Sequence, residues 1–216
     1  MTTDTRAPIG PGQLAPDFKL PAVQGAETVS LSDFRGKSSV FLALMLGLWC
    51  PFCRRSIAKI NSTEGKLKAQ GVETLCVVAT PPENARLYFK FRPTKLRLGS
   101  DPDLTTHRAY GVPKPEVTPE LMEAMGQLRV NPNGELPEPL PVQEAAMKIA
   151  QMDGYAPTPV DEADMGKQWP QMKAQYLIDP AGVIRWANIE CADGMENIGR
   201  FPTEEEILAA VRSLPR

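Results

Sequence analysis

The sequence predicts an α/β fold built on a sheet with parallel strands. Two segments, 38–46 and 72–79, are almost wholly apolar, which is typical of strands buried on both faces. A helix-like segment follows each of them, and strands that alternate with helices indicate βαβ units. The length of 216 residues suits one domain with a large insertion, or two small domains.

The elements before residue 112 follow from turn residues and apolar patterning. Residues 18–20 and 28–31 predict a short hairpin. A long helix is predicted over 51–70, because Pro51 suits the first turn of a helix and Gly71 stands where a helix would stop. The other predicted elements of this half are strands over 38–46, 72–79 and 96–98 and helices over 81–91 and 104–110.

Residues 113–172 interrupt this alternation. The segment holds ten prolines and two helix-like pieces, 120–128 and 142–152, so we expect a proline-rich, partly helical insertion that acts as a lid or a partner surface. Regular structure resumes at 174–188 (AQYLIDPAGVIRWAN), where two apolar runs joined by DPAG predict a hairpin. A capping box at 203–206 predicts the last helix.

Composition argues against several functional classes. The formal net charge of −2 provides no basic face for nucleic acid or a membrane surface, and no run approaches the roughly 18 apolar residues of a membrane helix. The N-terminus lacks a basic start followed by an apolar stretch, so we expect no signal peptide and a cytoplasmic location. No nicotinamide, flavin, haem or metal motif is present, and no cofactor is expected.

The candidate site is the segment WCPFCRR at 49–55. A cysteine between the end of a strand and the first turn of a helix faces unpaired backbone N–H groups and the positive end of the helix dipole. Both favour the thiolate, which is the nucleophile. We therefore predict that Cys50 attacks from an exposed position at the tip and that Cys53, one turn further, closes a disulfide with it.

Three neighbouring residues are predicted to support the cysteines. Pro51 fixes one backbone angle and removes a donor that would have gone unused. Arg54 adds positive charge, which solvent screens if the side chain is exposed. Trp49 offers a flat apolar wall for a substrate chain or for the disulfide.

A zinc site and a structural disulfide are the alternatives for this pair. Zinc needs two more ligands with similar spacing, but His107 is the only histidine and no second CxxC exists. A structural disulfide this short would restrain little, because stabilisation grows with loop length. The pattern therefore favours a redox pair.

The other cysteines and the histidine are assigned no role. Cys76 lies in an apolar run and is expected to be a buried, inert core thiol. Cys191 is interpreted as a spectator rather than a resolving thiol, because Glu190 and Asp193 are acidic neighbours. His107 is expected on the surface of a helix.

Several segments, in this order, resemble one family: GQLAPDFKLPAV, VSLSDFRGKSSVFLAL, WCPFC, LGSDPDLTTHRAYGV and QYLIDPAGVIRW. They are similar to the peroxiredoxin-like proteins of the alkyl-hydroperoxide-reductase/thiol-specific-antioxidant (AhpC/TSA) group, which share the thioredoxin fold. The resemblance covers residues 10–112 and 173–214. It implies a single thioredoxin-like domain over 1–216, a three-layer α/β/α sandwich with an N-terminal β-hairpin extension and the insertion 113–172.

The chain departs from the family patterns at three positions. Peroxidases of this group usually carry Thr or Ser three residues before the peroxidatic cysteine, but Cys50 or Gly47 stands there. Lys173 replaces the group's active-site arginine and lacks its planar donor fork. Lys173 aligns equally with the cis-proline of related reductases, and Pro170 stands three residues earlier. The buried acid of those reductases would fall at Leu44, which leaves the group that deprotonates the second cysteine unidentified.

Three functions stay open on this evidence. As a thiol–disulfide oxidoreductase, Cys50 attacks a target disulfide and Cys53 resolves the mixed disulfide. As a thiol peroxidase, Cys50 or Cys53 reduces hydrogen peroxide or organic hydroperoxides. A non-catalytic binding module on the same scaffold ranks last.

The partners expected for either redox enzyme follow from its chemistry. They are protein or small-molecule disulfides, thiols or peroxides, with a thioredoxin- or glutathione-type reductant and an antioxidant role in redox homeostasis. Neither nucleic acid nor a membrane is expected as a partner, and a homodimer is one option for the assembly.

Overall fold

The computed structural model describes residues 7–25, 27–192 and 194–214, and it contains the predicted α/β architecture. The strands are β1 (Lys19–Pro21), β2 (Thr28–Ser30), β3 (Ser39–Met45), β4 (Val72–Val78), β5 (Arg97–Ser100), β6 (Arg129–Val130), β7 (Leu140–Pro141), β8 (Ala174–Ile178) and β9 (Ile184–Ile189). The α-helices are α1 (Pro51–Lys68), α2 (Pro82–Phe91), α3 (Thr105–Ala109), α4 (Pro119–Gln127), α5 (Val142–Met152), α6 (Pro159–Gln168) and α7 (Glu204–Arg212).

A five-stranded sheet in the order β5-β4-β3-β8-β9 forms the centre. Strand β3 pairs in parallel with β4, and β4 in parallel with β5, whereas β3–β8 and β8–β9 are antiparallel. β1 and β2 form the predicted N-terminal hairpin, and β6 and β7 form a small ladder inside the insertion. Strand β3 lies in the middle of this sheet, and the loop that leads to the two cysteines follows its C-terminal end.

Strand β3 is buried on both faces, as its apolar run predicted. Side chains alternate between the faces of a strand, so Phe41 and Met45 pack in the core on one side, with α1 and α7. Leu42 and Leu44 pack in the core on the other side, with the N-terminal hairpin and Tyr110. Two cores on opposite faces of one sheet produce the predicted three-layer arrangement.

Helix α6, like the short strands β6 and β7, was not predicted from the sequence. Its buried residues are Asp161, Asp164 and Gln168, so the helix has a polar inner side in place of an apolar stripe. The local signal that was present is a capping box formed by Thr158 and Asp161. The two predicted helical pieces of the insertion are confirmed as α4 and α5.

The expectation that His107 lies on the surface is wrong. Its side chain in α3 is fully buried, and neither ring nitrogen has a hydrogen-bond partner within the described part of the chain. Burial lowers the pKa of His107 to about 4, so the ring is neutral. The Thr, Arg and Ala neighbours of His107 in this short helix did not indicate that burial.

Two further expectations concern cysteines outside the CxxC pair. Cys76 is fully buried in β4, as predicted, and burial raises the pKa of its thiol to about 12. Cys191 is half-buried, and Asp193, one of its acidic neighbours in sequence, lies outside the described residues. None of the helices formed by the described residues has the length and apolar content that crossing a membrane requires.

Candidate active site

The two cysteines lie at the junction of the β3 loop and helix α1. Cys50 is the N-cap residue of α1, with φ −77° and ψ 111°, and Pro51 is the first helical residue. The Cys53 N–H donates a hydrogen bond to Cys50 Sγ at 3.2 Å, which satisfies one of the otherwise unpaired donors at this helix end. One turn of helix thus places both sulfurs on the same side.

The two thiols have opposite pKa shifts. Burial by itself would raise the pKa of Cys50, but the hydrogen bond from the Cys53 thiol, the charge of Lys173 and the Cys53 N–H together lower it. Burial raises the pKa of Cys53 well above its usual range, and the negative Cys50 raises it further. The pKa of Cys50 is therefore below that of Cys53, so Cys50 has the greater thiolate character of the two.

A buried ion pair lies beside the cysteines. Lys173 Nζ donates to Glu190 Oε1 at 2.7 Å, and the same oxygen accepts from the Gly199 N–H at 2.6 Å. Lys173 is 2% exposed, and although burial opposes it, the attraction of Glu190 and of both cysteines raises the pKa of Lys173. Lys173 lowers the pKa of each cysteine and Glu190 raises it, so the ion pair acts on the electrostatic potential at both sulfurs in two opposite directions.

Glu190 is a residue that sequence reasoning assigned only as an acidic neighbour of Cys191. It follows β9, and Lys173 precedes β8; the Glu190 N–H donates to the Lys173 carbonyl at 3.0 Å across these antiparallel strands. The strand register therefore brings the carboxylate and the ammonium together. Leu44 occupies the position of the buried acid of related reductases. It is apolar and packs in the core on the face of the sheet opposite to that of Cys50 and Cys53.

Gln168 is a second residue that sequence reasoning missed. Its Oε1 accepts hydrogen bonds from the Gly47 N–H at 2.7 Å and from Trp49 Nε1 at 2.7 Å, and its Nε2 donates to the Ala79 carbonyl. Gln168 is fully buried at the end of α6. The insertion thus anchors the loop that presents Cys50.

Arg54 is not at the surface, where solvent would screen its charge, and that charge is paired. The side chain is buried, donates to the carbonyls of Leu48 at 2.8 Å and Trp49 at 3.2 Å, and forms an ion pair with Asp153 at 3.3 Å. Its guanidinium lies 3.9 Å from the centre of the Tyr155 ring. Because Asp153 and Tyr155 belong to the insertion and the two carbonyls belong to the active-site loop, Arg54 connects the insertion to that loop.

An apolar pocket of about 490 Å³ lies over Cys50. Helices α4, α5 and α6 of the insertion contribute to its walls, and Trp49, Pro51 and Lys173 also line it. The Trp169–Pro170 peptide bond is cis, and Pro170 lines the pocket with Cys50.

The exposed position predicted for Cys50 is therefore wrong. The residue is only 5% exposed, because the insertion, which the local sequence does not reveal as a cover, packs around it. Among the described residues, no group of three or more His, Cys, Asp or Glu could hold a metal ion.

The chain matches a family model and is similar to curated relatives. A family model described as the AhpC/TSA family matches residues 11–187. Two curated relatives are both named thiol-disulfide oxidoreductase ResA. That of Geobacillus kaustophilus is 43% identical over 72 residues, 33% of this chain and 40% of the relative. That of Halalkalibacterium halodurans is 32% identical over 118 residues, 54% of this chain and 65% of the relative.

The matched segments thus span less than two thirds of the length of either relative. Among solved structures, the reduced 2-Cys peroxiredoxin of Plasmodium vivax is similar with a TM-score of 0.60 at 18% identity. The similarity covers 95% of this chain and 82% of the peroxiredoxin chain. At that identity the likeness shows the fold, which is the thioredoxin-like one that the sequence predicted.

Proposed function

Because the chain belongs to the AhpC/TSA family, we propose that it is a thiol–disulfide oxidoreductase that cycles Cys50 and Cys53 between dithiol and disulfide. The observation that carries the proposal is the ordered pair itself. Cys53 donates to Cys50 Sγ, and the pKa of Cys50 is lowered while that of Cys53 is raised. Such an asymmetry separates an attacking thiolate from a resolving thiol.

The reaction transfers two electrons from the Cys50–Cys53 dithiol to a substrate disulfide. The Cys50 thiolate attacks one sulfur of a substrate disulfide, the S–S bond breaks, and the other sulfur leaves as a thiolate. Cys53 then gives its proton to the first substrate thiolate and its sulfur attacks Cys50 Sγ in the mixed disulfide. The S–S bond between Cys50 and the substrate breaks, which releases the second substrate thiolate and forms the Cys50–Cys53 disulfide. An external dithiol reduces this disulfide for the next cycle.

The surrounding residues have positioning and electrostatic roles in this scheme. Lys173 stabilises the Cys50 thiolate, and the same charge lowers the cost of deprotonating Cys53. Pro170 lines the pocket with Cys50, and Trp49 forms an apolar surface held in place by its hydrogen bond to Gln168.

Peroxide reduction has less support from the site. The residues described as lining the pocket include no arginine, and the ammonium of Lys173 is already engaged by Glu190. A peroxidatic cysteine needs donors directed at the peroxide oxygens in the transition state. The cytoplasmic location, the homodimer and the single domain over 1–216 stay predictions.

A stopped-flow experiment tests the proposed function. Tryptophan fluorescence, reported by Trp49 and Trp169 beside Cys50, is followed after the reduced protein is mixed with hydroxyethyl disulfide or with hydrogen peroxide. We expect fast exchange with the disulfide, no reaction in Cys50→Ser, and a stable mixed disulfide by intact mass in Cys53→Ser. Faster oxidation by equimolar peroxide than by the disulfide would replace the proposal with the peroxidase alternative.

A further inference from the structure

The pocket over Cys50 has the size of a small-molecule site. Its volume of about 490 Å³ lies within the range of roughly 300–1,000 Å³ that small-molecule sites occupy. Cys50 is 5% exposed, so a substrate sulfur must enter the pocket to reach Cys50 Sγ.

The lining of the pocket is mostly apolar, and apart from Cys50 itself its described charged side chains are paired with each other. The charged residues described in the lining, Lys173 and Glu190, neutralise each other at 2.7 Å. Gln171, another polar lining residue, donates its side-chain amide to the carbonyls of Val112 and Pro113. A ligand carboxylate would therefore lose its hydration without gaining an unpaired cationic side chain among the described lining residues, which is costly.

The walls suit a flat or irregular apolar group. Trp49 and Trp169 contribute aromatic faces, against which ring systems stack. The thioether side chains that line the pocket adapt to irregular shapes, and these residues are Met122, Met125, Met165, Met172 and Met195. Met122 and Met165 are each 46% exposed, so the methionines extend from the pocket to the protein surface.

We infer that the pocket binds an uncharged, apolar small-molecule disulfide and presents one of its sulfur atoms to Cys50. The inference rests on the proposed function and names its substrate class. In one turnover the reduced Cys50–Cys53 pair gives two electrons to the substrate disulfide RSSR, which leaves as two RSH molecules, while the protein gains the Cys50–Cys53 disulfide. Glutathione disulfide, which carries several carboxylates and ammonium groups, is outside this class.

The test compares two aromatic disulfides that differ in charge. The reduced protein is mixed in single turnover with 4,4′-dithiodipyridine, which is neutral at pH 7.5, or with 5,5′-dithiobis(2-nitrobenzoate), which is dianionic. Each rate is divided by the rate of the same disulfide with N-acetylcysteinamide, which removes the intrinsic reactivity of the reagent. We expect the normalised rate to favour the neutral disulfide by at least about tenfold, because burying a charge is unfavourable.

A matched pair of variants locates this preference in the pocket. Met122→Lys places a cation in the lining on α4, whereas Met147→Lys places one on α5 at a residue that is 63% exposed and outside the lining. We expect Met122→Lys to raise the normalised rate of the anionic disulfide by roughly threefold or more, and Met147→Lys to leave it unchanged. Met165→Lys on α6 serves as the second variant if Met122→Lys does not fold.

Each failure has a distinct signature. Equal normalised rates for the two disulfides, or an equal response of Met122→Lys and Met147→Lys, would overturn the substrate class while leaving thiol–disulfide exchange intact. No reaction of the native protein with either disulfide, when Cys50 reacts in urea, would overturn the proposed function together with the inference.

Discussion

Replacing Lys173 by methionine removes one half of the ion pair beside the cysteines. The two side chains are 2% and 6% exposed, and breaking a buried pair costs roughly 3–5 kcal/mol, because the remaining charge is buried without its partner. Glu190 would keep the backbone N–H groups of Gly199 at 2.6 Å and of residue 173 at 3.1 Å. We therefore expect a loss near the lower end, about 3 kcal/mol of the free energy of unfolding.

The same substitution has a defined effect on reactivity. Lys173 lowers the pKa of Cys50, so its loss raises that pKa, and less thiolate is present at neutral pH. The pH profile of alkylation by iodoacetamide should therefore move to higher pH. Glu190→Gln removes the charge that raises the pKa of Cys50 and keeps an acceptor for Gly199, so it should move the profile to lower pH.

Urea unfolding and the alkylation profile check these outcomes, and two further variants serve as controls. Lys66→Met breaks the exposed ion pair with Glu204 and should cost less than about 1 kcal/mol. The double variant Lys173→Met/Glu190→Gln should recover part of the lost stability, since no unpaired charge stays buried and the amide oxygen still accepts from the Gly199 N–H. A cost for Lys173→Met no larger than that for Lys66→Met, or an unmoved alkylation profile, would refute the argument.

Two other predictions concern Gln168 and His107. Gln168→Leu leaves the Gly47 N–H, the Trp49 indole N–H and the Ala79 carbonyl without their partner. Each unpaired group costs about 1–3 kcal/mol, so urea unfolding should show that the free energy of unfolding falls by at least about 3 kcal/mol. His107 has a pKa of about 4 in the folded protein and about 6.5 unfolded. Its contribution to stability is complete above pH 6.5, and about 3 kcal/mol is lost as the pH falls to 4.

Each of these predictions has its own control. Gln168→Glu keeps the acceptor oxygen for two of the three groups and should lose less stability than Gln168→Leu; a loss below about 1 kcal/mol in the leucine variant would contradict the network argument. For the histidine, His107→Phe should flatten the fall in stability relative to the native protein. Burial raises the pKa of Asp164 to about 6, and this group titrates in both proteins, so the test is the difference between their two curves of stability against pH. Parallel curves would contradict the assignment of the fall in stability to His107.

The sequence by itself determined the features that depend on neighbouring residues. Helix α1 begins at Pro51 as predicted, and Gly71, with a φ of 76°, follows its end, because a proline start and a positive-φ stop are local backbone requirements. The CxxC spacing placed both sulfurs on one side of the helix for the same reason. The order of the family motifs was sufficient to predict the thioredoxin-like fold.

Only the tertiary structure decided what surrounds the cysteines. Gln168 reaches Gly47 across 121 residues of sequence, and Glu190 meets Lys173 through the register of two strands. Burial of Cys50 likewise depends on helices of the insertion, whose packing no local pattern encodes. A side chain's exposure and partners depend on distant segments that fold against it, so residue type and spacing predicted the position of the cysteine pair but not the pocket around it.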